Sequence, residues 1–180
     1  MKSDMRKEEQ RLIVLCGEAF AGKTTLAKKL SEVFKAEIVG RDQIYFAVEK
    51  ILALENTPDD DDYVLWNNLW VIAVQGIKNQ LLAGNSVVID DNCLLFRQRE
   101  DLRVIAKNMN VDFFLVYLNI PAEVLQTRKA RNKITCDRHD VPSSWLVEDS
   151  AIFERPTEAE NPIICVENSS LDELLIKIGK

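Results

Sequence analysis

The chain has 180 residues, enough for a single compact domain over residues 1–180 with a sizeable core. Lys and Arg number 23 against 29 Asp and Glu, a net charge of −6, which disfavours a long nucleic-acid partner because such proteins carry a basic footprint. No apolar run approaches the ~20 residues of a membrane span, and the cysteines are widely spaced with no C-x-x-C pair, which disfavours zinc and disulfide frameworks.

Residues 1–10 are polar and charged and lack the apolar centre of a secretion signal. A flexible N-terminus and a cytoplasmic location are expected. Leu12-Ile13-Val14-Leu15-Cys16 reads as a strand buried on both faces, as in a parallel sheet. The next stretch, Gly17-Glu18-Ala19-Phe20-Ala21-Gly22-Lys23-Thr24, fits G-x-x-x-x-G-K-[ST], the loop that cradles nucleotide phosphates. In such a loop successive backbone N–H groups curl round the phosphates. Lys23 reaches the β/γ oxygens, and the Thr24 hydroxyl holds Mg²⁺. Thr25 completes the binding stretch. A helix follows, with Leu26, Leu30, Val33 and Phe34 on one face. Its N-terminal dipole favours the same anion.

Residues 36–39 read as the second strand, ending at Gly40-Arg41-Asp42, with a helix from about Gln43 to Leu54. Asp42 is the candidate acceptor base, because a carboxylate near the γ-phosphate can take the proton of an in-line hydroxyl. Asp also fills a helix N-cap well, and one residue can do both. Arg41 reads as a substrate contact or as a solvated arginine. The acidic run 59–62 reads as a solvated loop. A long helix over roughly Val64–Ala83 turns Leu65, Leu69, Ile72, Val74 and Ile77 inward and stops at Gly84-Asn85. Trp66 and Trp70 on that helix read as core, or as a stacking wall for a substrate.

The third strand, Ser86-Val87-Val88-Ile89, closes on Asp90 and Asp91. One of these, Asp90 by preference, is expected to serve the metal; a turn-forming pair is the alternative. The following helix is expected to carry Arg97, Arg99 and Arg103 outside and Leu102, Ile105 and Ala106 inside. Residues 113–118 form the fourth strand. Pro121 opens a helix to about Asn132, on which Arg128 and Arg131 share a face. They precede a polar segment, so residues of about 128–142 read as a lid that brings both arginines onto the transferring phosphate. A solvated basic helix end is the other reading. His139 reads as a surface or lid residue. A helix over residues 143–154, a fifth strand over 162–166 and a last helix with a Ser170–Glu173 capping box complete the chain. Strands and helices alternate throughout, which gives an α/β three-layer fold around a mainly parallel sheet.

GEAFAGKTT, the GRD ending at Asp42, VVIDDN at 87–92, VYLNIPAEVLQTRKARN at 116–132 and FERPTEAE at 153–160 together resemble the small P-loop kinases. That set includes polynucleotide kinase, gluconate kinase, chloramphenicol phosphotransferase and zeta toxin, and the chain is most similar to its AAA-type kinase group. The resemblance implies ATP and Mg²⁺, with Asp42 as base and Arg128 and Arg131 as lid arginines. It also implies a five-stranded sheet of order 2-3-1-4-5, as in nucleoside-monophosphate kinases. The chain departs from the set at Ala19-Phe20-Ala21, at Asp91, where a small residue is usual, and at Tyr45, where polynucleotide kinases carry arginine. The expected activity is ATP-dependent phosphoryl transfer to a hydroxyl of a small molecule. Alternatives are a polynucleotide or nucleoside 5′-hydroxyl kinase, a zeta-toxin-like nucleotide-sugar kinase, and an ATP-binding switch without an acceptor.

Overall fold

The computed structural model describes residues 10–52, 62–135 and 143–179. The acidic run at 59–61, His139 and the centre of the expected lid lie outside the described residues, as do residues 1–9. Five strands form one parallel sheet: β1 (Arg11–Cys16), β2 (Glu37–Val39), β3 (Val87–Ile89), β4 (Asp112–Leu118) and β5 (Ile163–Cys165). Their order is β2-β3-β1-β4-β5, the order the resemblance implied. The helices are α1 (Lys23–Phe34), α2 (Arg41–Leu52), α3 (Asp62–Leu82), α4 (Phe96–Met109), α5 (Ala122–Thr135), α6 (Ser143–Ile152) and α7 (Leu171–Ile178), with a 3₁₀ turn at Glu158–Glu160.

The strands are apolar on both faces because helices cover both. Side chains of β1 alternate between two cores. Ile13 and Leu15 pack with Ala27 and Leu30 of α1, Leu125 of α5 and Leu174 and Ile178 of α7. Leu12, Val14 and Cys16 pack with Ile77 and Leu81 of α3 and Leu102 and Ala106 of α4. Burial pushes the Cys16 thiol up to about 12, so it behaves as a small hydrophobe.

Four sequence expectations change. The inward row of α3 is Leu69, Ala73, Ile77 and Leu81, a strict i,i+4 line, whereas Ile72 is half exposed. α2 begins at Arg41, so Asp42 lies within the first helical turn and is not the N-cap; there the dipole still favours its negative charge. Ser170 takes the N-cap position of α7 without a side-chain cap hydrogen bond, so no capping box forms. Arg99, expected outside, is 1% exposed. Its guanidinium donates to both carboxylate oxygens of Glu160, at 2.6 and 3.1 Å, and to the carbonyls of Cys93 and Leu94. Arg103 donates to the Glu160 carbonyl at 2.6 Å. The FERPTEAE stretch is thereby bolted to α4. As expected, α3 stops at Gly84-Asn85: the Asn85 and Gly84 amides donate to the carbonyls of Gln80 and Leu81.

Candidate active site

The carboxyl ends of β1, β2 and β3 lie side by side, and each delivers a polar turn to the same edge of the sheet. After β1 the chain bends through Gly17 at φ 146°, Phe20 at φ 65° and Gly22 at φ 102°. A Cβ on Gly17 would stand 2.8 Å from the Leu118 carbonyl oxygen, which is backbone and cannot yield. Gly17→Ala is therefore expected to distort the loop, weakening nucleotide affinity at least tenfold and lowering Tm; a wild-type dissociation constant by titration calorimetry would contradict this.

Gly22 caps α1 in a left-handed conformation, with no side-chain cap hydrogen bond. The first amides of a helix have no carbonyl ahead of them, so this end presents donors to an anion. Lys23 is 8% exposed, and its ammonium donates to the carbonyls of Gly17 and Glu18 at 2.9 and 2.8 Å. The lysine is thus folded against the loop it would serve. Thr24 and Thr25 are exposed on the first turn of α1.

Gly40 ends β2 so close to β3 that a Cβ there would overlap the Asp90 carbonyl oxygen. That approach brings Asp42, Asp90 and Asp91 together. Lost hydration first, then the negative charges of Asp91 and Asp90, raises the Asp42 pKa above the ordinary carboxylate value; Arg41 and Lys23 pull the other way. Asp42 is nonetheless exposed, so its carboxylate can be reached from solvent.

The two strand-end carboxylates differ in employment. Asp91 is buried and accepts two hydrogen bonds from the Arg41 fork, at 2.6 and 2.5 Å, and one from the Cys93 amide at 3.2 Å. Burial alone would raise its carboxyl, but the charge and hydrogen bonds of Arg41 outweigh this and hold it low. Asp90 is half-buried and keeps some contact with solvent. Arg41 is not a solvated arginine. Its guanidinium carbon stands 5.7 and 5.5 Å from the ring centroids of Trp66 and Trp70. Tyr45 stacks on Trp66 with centroids 5.6 Å apart. The tryptophans are neither plain core nor an open wall; they clamp an arginine.

Sequence reasoning missed Asp149. From α6 it accepts a hydrogen bond from the Asn92 side-chain amide at 3.0 Å, and the Asn92 carbonyl accepts the Gly17 amide at 3.2 Å. Lost hydration raises the Asp149 pKa, against Arg41, the Asn92 hydrogen bond and Lys23. On the other side of the loop Arg128 donates to the carbonyls of Phe20 and Ala21 at 3.2 and 3.1 Å and lies 3.8 Å from Glu167. It is thereby tied to the loop and lines a cavity beside it. Arg131 is exposed and lines the same cavity, about 540 Å³, bounded also by Phe20, Thr25, Cys165 and Leu171.

The sequence matches the AAA domain family over residues 12–156. The chain belongs to that family. No curated protein sequence matches it. Among solved structures this AAA domain protein is similar to a sugar kinase from Janibacter sp. HTCC2649, unliganded, with a TM-score of 0.62 and 21% identity over 94% of this chain and 92% of that one. It is similar to the APS kinase of Mycobacterium tuberculosis in complex with AMPPNP and APS, at TM-score 0.57 and 18% identity over 94% and 96% of the two chains. It is also similar to Chaetomium thermophilum Kti12 in complex with ADP-AlF3, at TM-score 0.72 and 14% identity over 93% and 96%. These likenesses establish a P-loop kinase-type fold for the AAA domain. Among its described residues no helix is long and apolar enough to cross a membrane.

Proposed function

We propose that the protein transfers the γ-phosphoryl group of ATP to a hydroxyl of a small molecule. One observation carries the reading: a loop shaped for phosphates follows β1 and the exposed Asp42 follows β2, on either side of the β3 end at the same carboxyl edge of the sheet. The ATP-bearing side is the loop and the 540 Å³ cavity beside it, roomy enough for a nucleoside. The acceptor side is the opposite flank, where Asp42, Asp90 and the α2–α3 aromatic residues lie. The kinases among its structural neighbours, and the nucleotides bound in two of those structures, support a nucleotide-dependent phosphoryl-transfer reading.

The residues also fit Mg²⁺. Among the described residues no three His, Cys, Asp or Glu side chains gather into a metal cage. A Mg²⁺ held chiefly by phosphate oxygens and waters needs only one or two protein oxygens. Thr24 on the first turn of α1 and the solvent-accessible Asp90 suit that role, whereas Asp91 is engaged by Arg41. When bound, the metal would neutralise charge on the β- and γ-phosphates.

In the working enzyme the loop amides and the uncapped end of α1 hold the phosphates. Lys23 exchanges its two loop carbonyls for phosphate oxygens. Asp42 accepts the hydroxyl proton and aims the acceptor oxygen at the γ-phosphorus. Arg128 and Arg131 supply positive charge on the nucleotide side. The test is a screen of ATP consumption against sugars, sugar acids, hydroxylated antibiotics, nucleosides and 5′-hydroxyl oligonucleotides. At least one small-molecule acceptor is expected to raise turnover more than tenfold over water, and Lys23→Ala to abolish the gain. Salt-sensitive stimulation by oligonucleotides alone would favour a polynucleotide kinase. ATP hydrolysis indifferent to every acceptor would mark a nucleotide-dependent switch.

A further inference from the structure

The acceptor flank holds one arginine whose charge is engaged inside the protein. Arg41 opens α2, reaches across to the end of β3 and makes a two-pronged bridge to Asp91, a partner 50 residues away. Two indoles of α3 close over it, and Tyr45 backs one of them. The Arg41 side chain is 17% exposed and that of Asp91 4%. Three elements therefore meet on one guanidinium: the first turn of α2, the end of β3 and the N-terminal half of α3. Asp42 is the next residue along that same turn, so the position of its carboxylate follows from where Arg41 is pinned.

We infer that Arg41 is a positioning residue: locked onto Asp91 against Trp66 and Trp70, it fixes the first turn of α2 so that Asp42 faces the acceptor, and it does not itself bind the acceptor. This rests on the proposed kinase reading for its consequence in turnover, but the pinning itself does not. A free arginine at this place would be a ready anion site. A fork held by a buried carboxylate and covered by two rings of α3 could serve an anion only by leaving Asp91 buried and uncompensated, which is costly. A lysine cannot replace it, because an ammonium does not match the carboxylate two-pronged and lacks the planar face that lies against an aromatic ring.

The test compares Arg41→Lys, Arg41→Gln and Asp91→Asn with the full-length wild type. Hydrogen exchange of the amides at 44–47, the first of α2 that donate back to carbonyls of its opening turn, reads the pinning directly. Equilibrium binding of Mg·ATP reads the nucleotide side. ATP turnover with the acceptor found by the screen, or with water if none is found, reads the consequence. Arg41→Lys is expected to speed exchange at 44–47 at least tenfold. It should leave the ATP dissociation constant within threefold of wild type and lower kcat at least tenfold with little change in KM for the acceptor. Exchange at 44–47 unchanged in all three variants would overturn the inference, as would a rise in acceptor KM with kcat intact in Arg41→Gln, the mark of a lost substrate contact. A wild type without any ATP turnover would sink the kinase reading alone, since the exchange result stands by itself.

Discussion

Asp42→Asn is expected to lower phosphoryl transfer by about 10²–10⁴-fold while leaving nucleotide affinity nearly unchanged. That range is the usual contribution of a positioned general base. The amide keeps the shape and can still accept a hydrogen bond, so the acceptor binds, but it cannot take the hydroxyl proton. On the proposed arrangement ATP lies on the other flank of the loop and would lose nothing. The pH profile gives an independent reading. A base works only when ionised, and lost hydration, then the negative charges of Asp91 and Asp90, raises the Asp42 pKa. Activity should therefore fall on the acid side at a pH above that of an ordinary carboxylate, whose reference lies at 3.8. The acid limb should vanish from the residual activity of Asp42→Asn. Wild-type kcat in the variant, measured under saturating Mg·ATP and acceptor, would remove Asp42 from the chemistry.

The second large effect concerns stability. Glu160→Gln leaves the Arg99 guanidinium, 1% exposed, without its counter-charge. Breaking one side of a buried ion pair costs about 3–5 kcal/mol, which for a chain of this length lowers Tm by on the order of 10 °C. Replacing both partners with apolar residues of similar volume, Arg99→Met with Glu160→Leu, should recover most of the loss. That recovery separates a charge effect from a general packing effect. The pH dependence has a definite sign. Burial alone would raise the Glu160 carboxyl, but hydrogen bonds from Arg99 and the Thr157 amide and the Arg99 charge hold it below its reference value of 4.5. A carboxyl whose folded pKa is depressed stabilises the fold fully above the unfolded pKa and loses that contribution as pH falls through the folded pKa. Wild-type Tm should thus drop steeply below about pH 4.5, and the Glu160→Gln curve should be flatter there. A Glu160→Gln melting point within 2 °C of wild type at pH 7 would rule the account out.

These two sites mark the boundary between what could be read along the chain and what could not. The alternation of apolar strands with amphipathic helices and the Gly17–Thr24 pattern are local signals. Each is written in consecutive residues, because a period or a turn needs only its own backbone geometry. The doubly covered parallel sheet and its phosphate loop follow from them. Asp42 was legible as a candidate for the same reason, since it stands where a strand gives way to a helix beside that loop. The three pairings that build the rest of the site join residues 50, 57 and 61 positions apart: Arg41 with Asp91, Asn92 with Asp149, and Arg99 with Glu160.

Arg99 shows why chemistry type misleads. Its position, three before Leu102 and seven before Ala106, puts it on the buried stripe of α4, but a charged residue is assigned to solvent unless its partner is known. The same held for Arg41, which had no visible partner until Gly40 let the end of β2 lie against Asp90 and α3 folded its tryptophans over the gap. A charge survives burial only beside a matching charge with good geometry. The sequence determined by itself which residues are strands, which are helices and where phosphate can bind. Which arginines are anchors, and which aspartates are buried and which exposed, was decided only when distant strand ends and helices packed together.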